Sequence, residues 1–399
     1  MKFIKYNKSY KPKFTQAVIF VGGKGLRLGN LTKNTPKPLL IIEKKKVFLD
    51  YIIQNLSRFG IKKILLLCNF KSEKFFKKYD KKTLFGIQIT CTLDNKNSSG
   101  KMMAIKKNLH KIDKNFILMN GDTFVDINFK KYQFLVENKK IKGLSIFLEK
   151  KILKIEKNRY LIKTKRNRNY INSGIFYLNK DIINSLNPKT EDFDKELIQT
   201  LKKSLSYKII SLQKVKFIDI GIKKDLFYFK KNLNYFFEKK AIFLDRDGVI
   251  NKDLNYVGDS KNFYWRKDIF SFIKKCIFKN YYIFIITNQS GIGRAYYSLK
   301  DFKKLCDWML NKLSSKGLYV DDISYSPYYK YSKKFGKNKY LKMRKPNVGM
   351  IQGLKKKWKI DYKKSVVIGD SDVDKQLAKK TKIRFIKVRN DTSLNLIRI

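Results

Sequence analysis

Histidine is almost absent from this 399-residue chain, and His110 is the only one. A Ser-His-Asp triad uses histidine as its base, and His-rich metal sites need several imidazoles, so the first is disfavoured and the second is excluded. His110 follows a helix-like stretch, residues 104–109, and we expect it to lie on the surface. Chemistry in this chain must therefore rest on carboxylates and lysines.

Cysteine is scarce too, and the four residues lie far apart in the chain: Cys68, Cys91, Cys276 and Cys306. The absence of a Cys-x-x-Cys pair argues against a zinc site and against a disulfide framework, and reduced cytosolic thiols fit best. Runs of 18 apolar residues are also missing, and residues 1–6 have no apolar signal core. We expect a soluble cytoplasmic protein without a membrane partner.

Acidic residues are few beside basic ones: 33 Asp and Glu against 91 Lys and Arg give a net charge of +58. Such an excess attracts nucleic-acid phosphates, so a nucleic-acid-binding protein is one hypothesis. The lysines are spread along the chain, however, and accompany heavy use of Asn, Ile, Phe and Tyr, which AT-rich codons also encode. We therefore favour genome bias and expect no specific nucleic-acid partner.

Apolar residues make up 43% of the chain, which is typical of a globular protein. Two apolar runs, 16–21 and 241–244, each enter a loop rich in Gly or Asp and then a helix-like stretch. In open α/β sheets ligands bind at the carboxyl ends of strands, so each run predicts the first strand of a separate active-site domain. The length also favours two domains, and we place them at residues 14–235 and 240–399.

Four motifs follow one another in the C-terminal half. They are Asp245-Arg246-Asp247-Gly248, Thr287-Asn288-Gln289-Ser290-Gly291-Ile292-Gly293-Arg294, Arg344-Lys345-Pro346 and Gly369-Asp370-Ser371-Asp372-Val373-Asp374. Two carboxylates directly after a buried strand are explained together by a divalent cation and a phosphoryl ligand. Over about residues 240–390 this order resembles the haloacid dehalogenase superfamily, and the first two motifs resemble its heptose bisphosphate phosphatase and histidinol phosphatase branch.

The resemblance implies a Mg²⁺-dependent phosphatase on a parallel sheet. Asp245 would be the nucleophile that forms an aspartyl-phosphate, and Asp247 would be the acid and base. Mg²⁺ would be held by Asp245, the carbonyl of Asp247 and Asp370. For Asp374 two interpretations stay open: support of the metal ligands, or a carboxylate at a helix N-terminus.

Four further residues complete the site that this resemblance implies. Thr287 would donate a hydrogen bond to the phosphoryl oxygens, and Lys345 would neutralise their charge. Arg344 would bind a second anionic group of the substrate, and Asn288 would belong to the same substrate site. The reaction class follows from these residues more firmly than the substrate does.

Zinc ligands are missing from the loop before the Arg-Lys-Pro motif. Many members of the branch have Cys-x-His and Cys-x-Cys there, and this chain has Ser326, Tyr328, Leu341 and Met343 instead. We therefore expect no zinc. Packing must order residues 326–343, and we expect Tyr328, Tyr329 and Tyr331 to supply it.

The N-terminal half begins with Gly22-Gly23-Lys24-Gly25-Leu26-Arg27 and then has Pro36-Lys37-Pro38. Glycines let the backbone approach phosphate closely, and the cations Arg27 and Lys37 would offset the charge of a nucleoside triphosphate. This combination resembles the sugar-phosphate nucleotidylyltransferases, in particular heptose 1-phosphate guanylyltransferase. It implies a Rossmann-like domain with a mixed sheet, catalytic roles for Arg27 and Lys37, and nucleotide contacts from Gly22, Gly23 and Gly25.

Three later segments support this resemblance: Asn120-Gly121-Asp122, Asn172-Ser173-Gly174 and Asp219-Ile220-Gly221. They imply that Asp122 and Asp219 hold Mg²⁺, and that Gly121, Asn172 and Lys163 contact the substrate. Two residues depart from the pattern. Met103 stands where a glycine is expected, and Ile162 where a glutamate is expected.

Together the two halves imply consecutive steps in making a nucleotide-activated heptose for surface polysaccharide. The phosphatase would convert D-glycero-D-manno-heptose 1,7-bisphosphate into a sugar 1-phosphate, and the N-terminal domain would transfer a nucleotide to it, with GTP favoured. The alternative is a phosphatase whose degenerate N-terminal domain only binds a nucleotide and regulates. A homo-oligomer is compatible with both interpretations.

Overall fold

The computed structural model describes residues 14–93, 100–138, 141–149, 161–163, 169–187, 190, 192–203, 206–213, 215–389 and 392–399. Within these ranges the chain forms two compact units, and the division falls between Phe236 and Phe237. No helix in the described ranges is long and apolar enough to cross a bilayer.

The N-terminal unit contains thirteen of the strands that the structure describes. They are β1 (Gln16–Phe20), β2 (Ile41–Glu43), β3 (Lys46–Val47), β4 (Lys63–Cys68), β5 (Lys82–Leu84), β6 (Ile87–Leu93), β7 (Asn115–Asn120), β8 (Thr123–Val125), β9 (Gly143–Glu149), β10 (Leu161–Lys163), β11 (Asn169–Asn179), β12 (Tyr207–Leu212) and β13 (Phe217–Asp219). The α-helices up to the division are α1 (Asn30–Lys33), α2 (Phe48–Ser57), α3 (Ser72–Tyr79), α4 (Lys101–Lys107), α5 (Phe129–Asn138), α6 (Asp181–Asn184), α7 (Phe193–Lys202), α8 (Lys223–Lys231) and α9 (Leu233–Phe237).

Nine of these strands form one sheet in the order β12-β9-β11-β7-β1-β4-β6-β5, with β10 paired to β11. Strand β1 is parallel to both β4 and β7, whereas β11 is antiparallel to β7 and β9. The predicted mixed sheet is therefore confirmed. Strands β1 and β4 are apolar almost throughout because they lie at the centre of the sheet, and the carboxyl ends of β1 and β7 are neighbours.

The C-terminal unit contains a five-stranded sheet in the order β16-β15-β14-β17-β18, and every pair in it is parallel. Its strands are β14 (Ala241–Leu244), β15 (Tyr282–Asn288), β16 (Asp322–Ser326), β17 (Val366–Gly369) and β18 (Arg384–Lys387). Its helices are α10 (Ile269–Phe278), α11 (Ser290–Gly293), α12 (Leu299–Ser315), α13 (Asn338–Met343), α14 (Gly349–Lys357) and α15 (Asp372–Thr381). The predicted parallel α/β sheet is confirmed.

The register of this sheet determines where its polar residues meet. Leu244 lies beside Ile285 on one side and beside Ile368 on the other. The residues that follow, beginning with Asp245, therefore emerge at the same edge as the carboxyl ends of β15 and β17. Sheet strands buried on both faces are apolar, so the charged residues collect at this edge.

Candidate active sites

Asp245 follows β14 directly, and its backbone N–H donates to the carbonyl of Ile368 on the neighbouring strand (3.0 Å). The Lys345 ammonium lies 2.6 Å from Oδ2 of Asp245 and 2.7 Å from Oδ1 of Asp374. Burial alone would lower the pKa of Lys345, but the two carboxylates raise it, so the ammonium stays charged. Burial raises the pKa of the Asp245 carboxyl, and Lys345 opposes that change.

Asp245, Asp370 and Asp374 each place a carboxylate oxygen within 4.8 Å of the others. Burial, followed by the charge of Asp374, raises the pKa of Asp370. Such crowding of carboxylates is costly unless a cation lies among them, and oxygen donors are what Mg²⁺ prefers. These residues therefore fit a divalent cation.

Asp374 lies at a helix N-terminus and also within the carboxylate cluster. It is the third residue of α15 and forms a capping box with Ser371, whose hydroxyl donates to Asp374 Oδ2 (2.6 Å). Its other carboxylate oxygen accepts from Lys345 and lies near Asp245 and Asp370. Fully buried, Asp374 thus orders the helix and holds the lysine at the same time.

The Asp247 carboxylate faces a different set of groups. Arg246 donates to it from Nε (3.1 Å) and from Nη2 (2.8 Å), and Asn251 Nδ2 donates to Oδ1 (2.9 Å). Gln289 Nε2 donates to Oδ2 (3.1 Å) and also to the hydroxyl oxygen of Thr287 (2.8 Å). The side chain of Asp247 is therefore held by hydrogen-bond donors outside the carboxylate cluster, which leaves its backbone carbonyl for the expected metal contact.

Asn288 acts on the site through Lys345. Its Nδ2 donates to the Lys345 carbonyl (3.1 Å), and its Oδ1 accepts from the Lys345 backbone N–H (2.9 Å). Both polar atoms of this amide therefore bind the main chain of Lys345. Thr287 and Asn288 end β15, and Asn288 holds Lys345, which follows α13, beside this strand end.

Arg344 lies beside an arginine to which the sequence reasoning assigned no role. Burial lowers the pKa of Arg344, and the nearby charge of Arg294 lowers it further. The Arg294 guanidinium lies 4.1 Å from the ring centre of Tyr329, and Arg344 donates to the carbonyl of Tyr328 (3.4 Å). Among the described residues no carboxylate pairs with either guanidinium, so the pair fits an anion. The signal was present, because Arg294 ends the quoted motif that begins at Thr287.

The loop 326–343 is ordered differently from what we expected. The Ser326 hydroxyl donates to the carbonyl of Tyr340 (2.8 Å), and Phe335 is buried with its ring 5.3 Å from that of Tyr340. Tyr331, one of the three tyrosines expected to supply the packing, is instead 72% exposed. Its ring still lies 5.4 Å from that of Tyr329, which in turn lies against Arg294, so these tyrosines pack at the surface of the loop. The interior of the loop is filled by Phe335, which we did not expect.

In the N-terminal unit the glycine-rich loop follows β1, and its conformation is tightly constrained. A Cβ on Gly22 would lie 2.7 Å from that of Asn69, and Gly25 has φ +70°. The Thr32 hydroxyl donates to the Gly25 carbonyl (2.9 Å), which anchors the loop. Gly23 is exposed with open space around it, as a backbone that approaches phosphate requires.

The four charged residues that the sequence singled out meet beside this loop. Buried Lys37 places Nζ 2.8 Å from Oδ2 of Asp122, and the N–H that follows Asp219 donates to the Asp122 carbonyl (3.1 Å). A Cβ on Gly221 would lie 3.1 Å from Arg27 Nη2 and 3.2 Å from Asp219 Oδ1. Two carboxylates and two cations thus share one edge, which fits a metal ion and a polyphosphate.

The expected sugar contact lies at the neighbouring strand end. Asn172 is buried in β11, and its Oδ1 accepts from the backbone N–H of Gly174 (3.0 Å). Gly174 has φ +75°, and a Cβ there would lie 2.5 Å from Nδ2 of Asn120, the residue before Gly121. The segment that contains Asn172 and Gly174 therefore lies against the segment that contains Asn120 and Gly121. Lys163 ends β10, but its side chain lies outside the described part of the chain.

Met103, which replaces the expected glycine, lies in the first turn of α4 and is partly exposed. Its neighbour Lys101 pairs with Asp194 (3.1 Å) and lies 5.4 Å from the ring centre of Phe20, the last residue of β1. The first turn of α4 therefore lies beside the end of β1, through Lys101.

Two known families match the chain. Residues 16–235 match Nucleotidyl transferase, and residues 240–389 match Polynucleotide kinase 3 phosphatase.

Among similar proteins, the D-glycero-β-D-manno-heptose-1,7-bisphosphate 7-phosphatase of Rhodopseudomonas palustris is 40% identical over 141 residues, 35% of this chain and 78% of that protein. The corresponding α-heptose enzyme of Photorhabdus laumondii is 42% identical over 135 residues, 34% of this chain and 74% of that protein. The D-glycero-α-D-manno-heptose 1-phosphate guanylyltransferase of Campylobacter jejuni is 32% identical over 224 residues, 54% of this chain and 99% of that protein.

Proposed function

Because the chain belongs to the nucleotidyl transferase family and to the family of the heptose bisphosphate 7-phosphatases, we propose that it carries out two consecutive steps on one sugar. The C-terminal unit removes the 7-phosphate of D-glycero-D-manno-heptose 1,7-bisphosphate. The N-terminal unit transfers GMP from GTP to the resulting heptose 1-phosphate. We assign these activities to domains 240–399 and 14–235.

The observation that carries the phosphatase proposal is the contact between Asp245 and Lys345 beside Asp370. An Asp245 oxygen attacks phosphorus, the bond to the sugar oxygen breaks, and its electron pair stays on that oxygen. The sugar oxygen takes a proton from the carboxyl of Asp247. Lys345 neutralises charge on the phosphoryl oxygens, and the Thr287 hydroxyl donates to one of them.

The second step returns every group to its starting state. Water attacks the phosphorus of the aspartyl-phosphate and gives its proton to the Asp247 carboxylate. The bond between phosphorus and the Asp245 oxygen breaks, and its electrons restore the carboxylate. Mg²⁺ bound by Asp245, Asp370 and the Asp247 carbonyl supplies further neutralisation of phosphoryl charge.

Arg294 and Arg344 bind the second phosphate of the substrate in this proposal. Two guanidiniums near each other repel, and the described residues offer them no carboxylate partner. A phosphate accepts hydrogen bonds from arginine in a bidentate manner and offsets the repulsion. Relatives of this chain are named for both anomers of the sugar, so the anomer is left to the experiment.

The N-terminal reaction is an in-line attack by the sugar phosphate oxygen on the α-phosphorus of GTP, with pyrophosphate as leaving group. The loop at Gly22, Gly23 and Gly25 supplies backbone amides to the phosphates, and Arg27 offsets their charge. Lys37, held by Asp122, faces the same edge. Mg²⁺ held by Asp122 and Asp219 supplies charge neutralisation there. GTP is favoured because of the relative named as a guanylyltransferase.

A second candidate is a phosphatase whose N-terminal unit binds a nucleotide without catalysis. The observation in its favour is Met103 at a position where the family has glycine, since the added bulk crowds a nucleotide. One experiment separates the two. The full chain is incubated with Mg²⁺, GTP and heptose 1,7-bisphosphate, and the products are identified by mass spectrometry.

GDP-heptose in this experiment establishes both activities and their order. Heptose 1-phosphate that accumulates without GDP-heptose supports the phosphatase and favours the second candidate. An unchanged bisphosphate, together with hydrolysis of an unrelated phosphate ester, overturns the proposed sugar substrate. We also propose that the enzyme works in the cytoplasm, where GTP is available.

A further inference from the structure

The hydroxyl of Tyr297 belongs to no motif, yet it contacts the residue that joins two parts of the phosphatase site. It donates to Oε1 of Gln289 at 2.7 Å. Gln289 is 2% exposed and directs its Nε2 to Asp247 (3.1 Å) and to Thr287 (2.8 Å). One buried amide thus contacts both the expected acid and base and the expected phosphoryl donor, and one phenol contacts that amide.

We propose that Tyr297 is a positioning residue of the phosphatase, which fixes the Gln289 amide so that its N–H groups orient Asp247 and Thr287. This inference rests on the proposed phosphatase activity. An amide has a donor end and an acceptor end, and only one orientation serves all three neighbours. With the phenol donating to Oε1, both amide hydrogens remain for the carboxylate and for the Thr287 oxygen.

The orientation of Thr287 follows from the same contact. Its oxygen accepts from Gln289, so its own hydrogen is directed away from that amide and is free to donate to a phosphoryl oxygen. For Asp247, Gln289 holds Oδ2 while Arg246 and Asn251 hold Oδ1. The carboxyl is therefore fixed from two sides while a proton passes to the leaving group.

The phenol ring of Tyr297 is closely packed along one edge. A Cβ on Gly258 would lie 2.4 Å from ring atoms of Tyr297, and a Cβ on Gly291 would lie 2.4 Å from another. Both glycines thus leave room for the edge of the ring that carries Cδ1 and Cε1. Burial raises the pKa of Tyr297 to about 12, with Arg246 opposing and Asp247 adding to the rise, so the hydroxyl remains a donor at neutral pH.

The test is Tyr297→Phe in the full chain, measured with three esters of different leaving groups: p-nitrophenyl phosphate, phenyl phosphate and heptose 1,7-bisphosphate. A p-nitrophenolate leaves without a proton near neutral pH, whereas a sugar alkoxide depends on the acid. We expect kcat/KM, which reports phosphoryl transfer to Asp245 and not the later hydrolysis step that all three esters share, to fall only about two- to threefold for the nitrophenyl ester, through Thr287. For the sugar ester it should fall about tenfold further, a part of the 10²–10⁴-fold that general acid catalysis contributes. Phenyl phosphate should lie between them.

A double-mutant cycle with Gln289→Met shows whether the phenol acts through the amide. We expect Tyr297→Phe to have no further effect once the amide is gone, because the two changes remove one interaction. Tyr296→Phe is the matched control, since this neighbour is 61% exposed and no contact of its hydroxyl is found among the described residues. It should leave all three rates unchanged.

Equal losses for all three esters, no loss for any of them, or additive effects in the cycle would each overturn the inference. The test of Tyr297 can be told apart from the test of the proposed sugar substrate. If the wild-type chain does not hydrolyse the heptose ester, the proposed sugar is wrong, and the ratio between the two aryl esters still decides the role of Tyr297. A chain that hydrolyses no ester overturns both proposals.

Discussion

A Cβ atom on Gly248 would lie 1.8 Å from Oδ2 of Asp370. The glycine also has φ +77°, a region that residues with a side chain adopt at a cost of about 1 kcal/mol or more. No rearrangement of a flexible side chain relieves this contact cheaply, because Asp370 directly follows β17. Its carboxylate keeps its place in the cluster with Asp245 and Asp374 only while residue 248 is glycine.

We therefore predict that Gly248→Ala lowers the kcat of the phosphatase by about 100-fold or more, because Asp370 must move away from the cation site. The measurement is hydrolysis of p-nitrophenyl phosphate at several Mg²⁺ concentrations, and the apparent Mg²⁺ affinity should fall as well. Gly353→Ala is the control: this glycine lies within α14 with nothing within 4 Å of its Cβ position, so alanine there should retain activity. Full activity of Gly248→Ala would contradict the assignment of Asp370.

A second prediction concerns the positive charge of Lys345. It is 3% exposed and is the ion-pair partner of both Asp245 and Asp374. Lys345→Met leaves the buried carboxylate of Asp374 and the partly buried one of Asp245 without that partner, which costs about 3–5 kcal/mol of the free energy of unfolding. We expect loss of phosphatase activity together with a lower Tm in a chelator. Lys342→Met, at an exposed position of α13, should change neither. Activity near that of the wild type would show that Lys345 does not serve the phosphoryl group.

The sequence predicted the fold because the strands of both sheets are nearly continuous apolar runs. Ala241–Leu244 and Val366–Gly369 are buried throughout, and charged residues follow each of them at once. Parallel strands end at a common edge, so Asp245 and Asp370 could be placed near each other without a structure. Asp122 lies beside Asp219 for a different reason: β8 and β13 are antiparallel, so the start of β8 meets the end of β13.

What the sequence could not predict was the direction of individual side chains. Asp245 and Asp247 are two residues apart, yet one contacts Lys345 while the other contacts Arg246, Asn251 and Gln289. The partnership of Arg294 with Arg344 was missed for a related reason, since 49 residues separate them in the chain and only folding brings them together. Spacing along the sequence determines which strand end a residue occupies, but packing determines what its side chain touches.

Arg294 gives a prediction about substrate choice. Arg294→Gln removes one of the two guanidiniums proposed to bind the second phosphate, and a charged hydrogen bond contributes about 1.5–3 kcal/mol. The ratio of kcat/KM for heptose 1,7-bisphosphate to that for p-nitrophenyl phosphate should therefore fall about 10- to 100-fold. Lys300→Gln, an equal loss of charge at an exposed position of α12, should leave the ratio unchanged. If the ratio does not fall with Arg294→Gln, Arg294 does not bind the second phosphate, and Arg344 alone would do so.

The two activities can be separated through Asp122 and Asp219. Asp122→Asn removes a proposed metal ligand and weakens the 2.8 Å contact with Lys37, and Asp219→Asn removes the second ligand. We expect either change to lower the release of pyrophosphate from GTP and heptose 1-phosphate by about 100-fold or more, while hydrolysis of p-nitrophenyl phosphate continues at the wild-type rate. The control Asp113→Asn alters a partly exposed ion pair with Lys63 and a long hydrogen bond from the Thr15 hydroxyl, and it should affect neither reaction. If wild type releases no pyrophosphate, the N-terminal unit is a nucleotide-binding domain without catalysis, and Met103→Gly becomes the variant that tests whether bulk at this position abolished the activity.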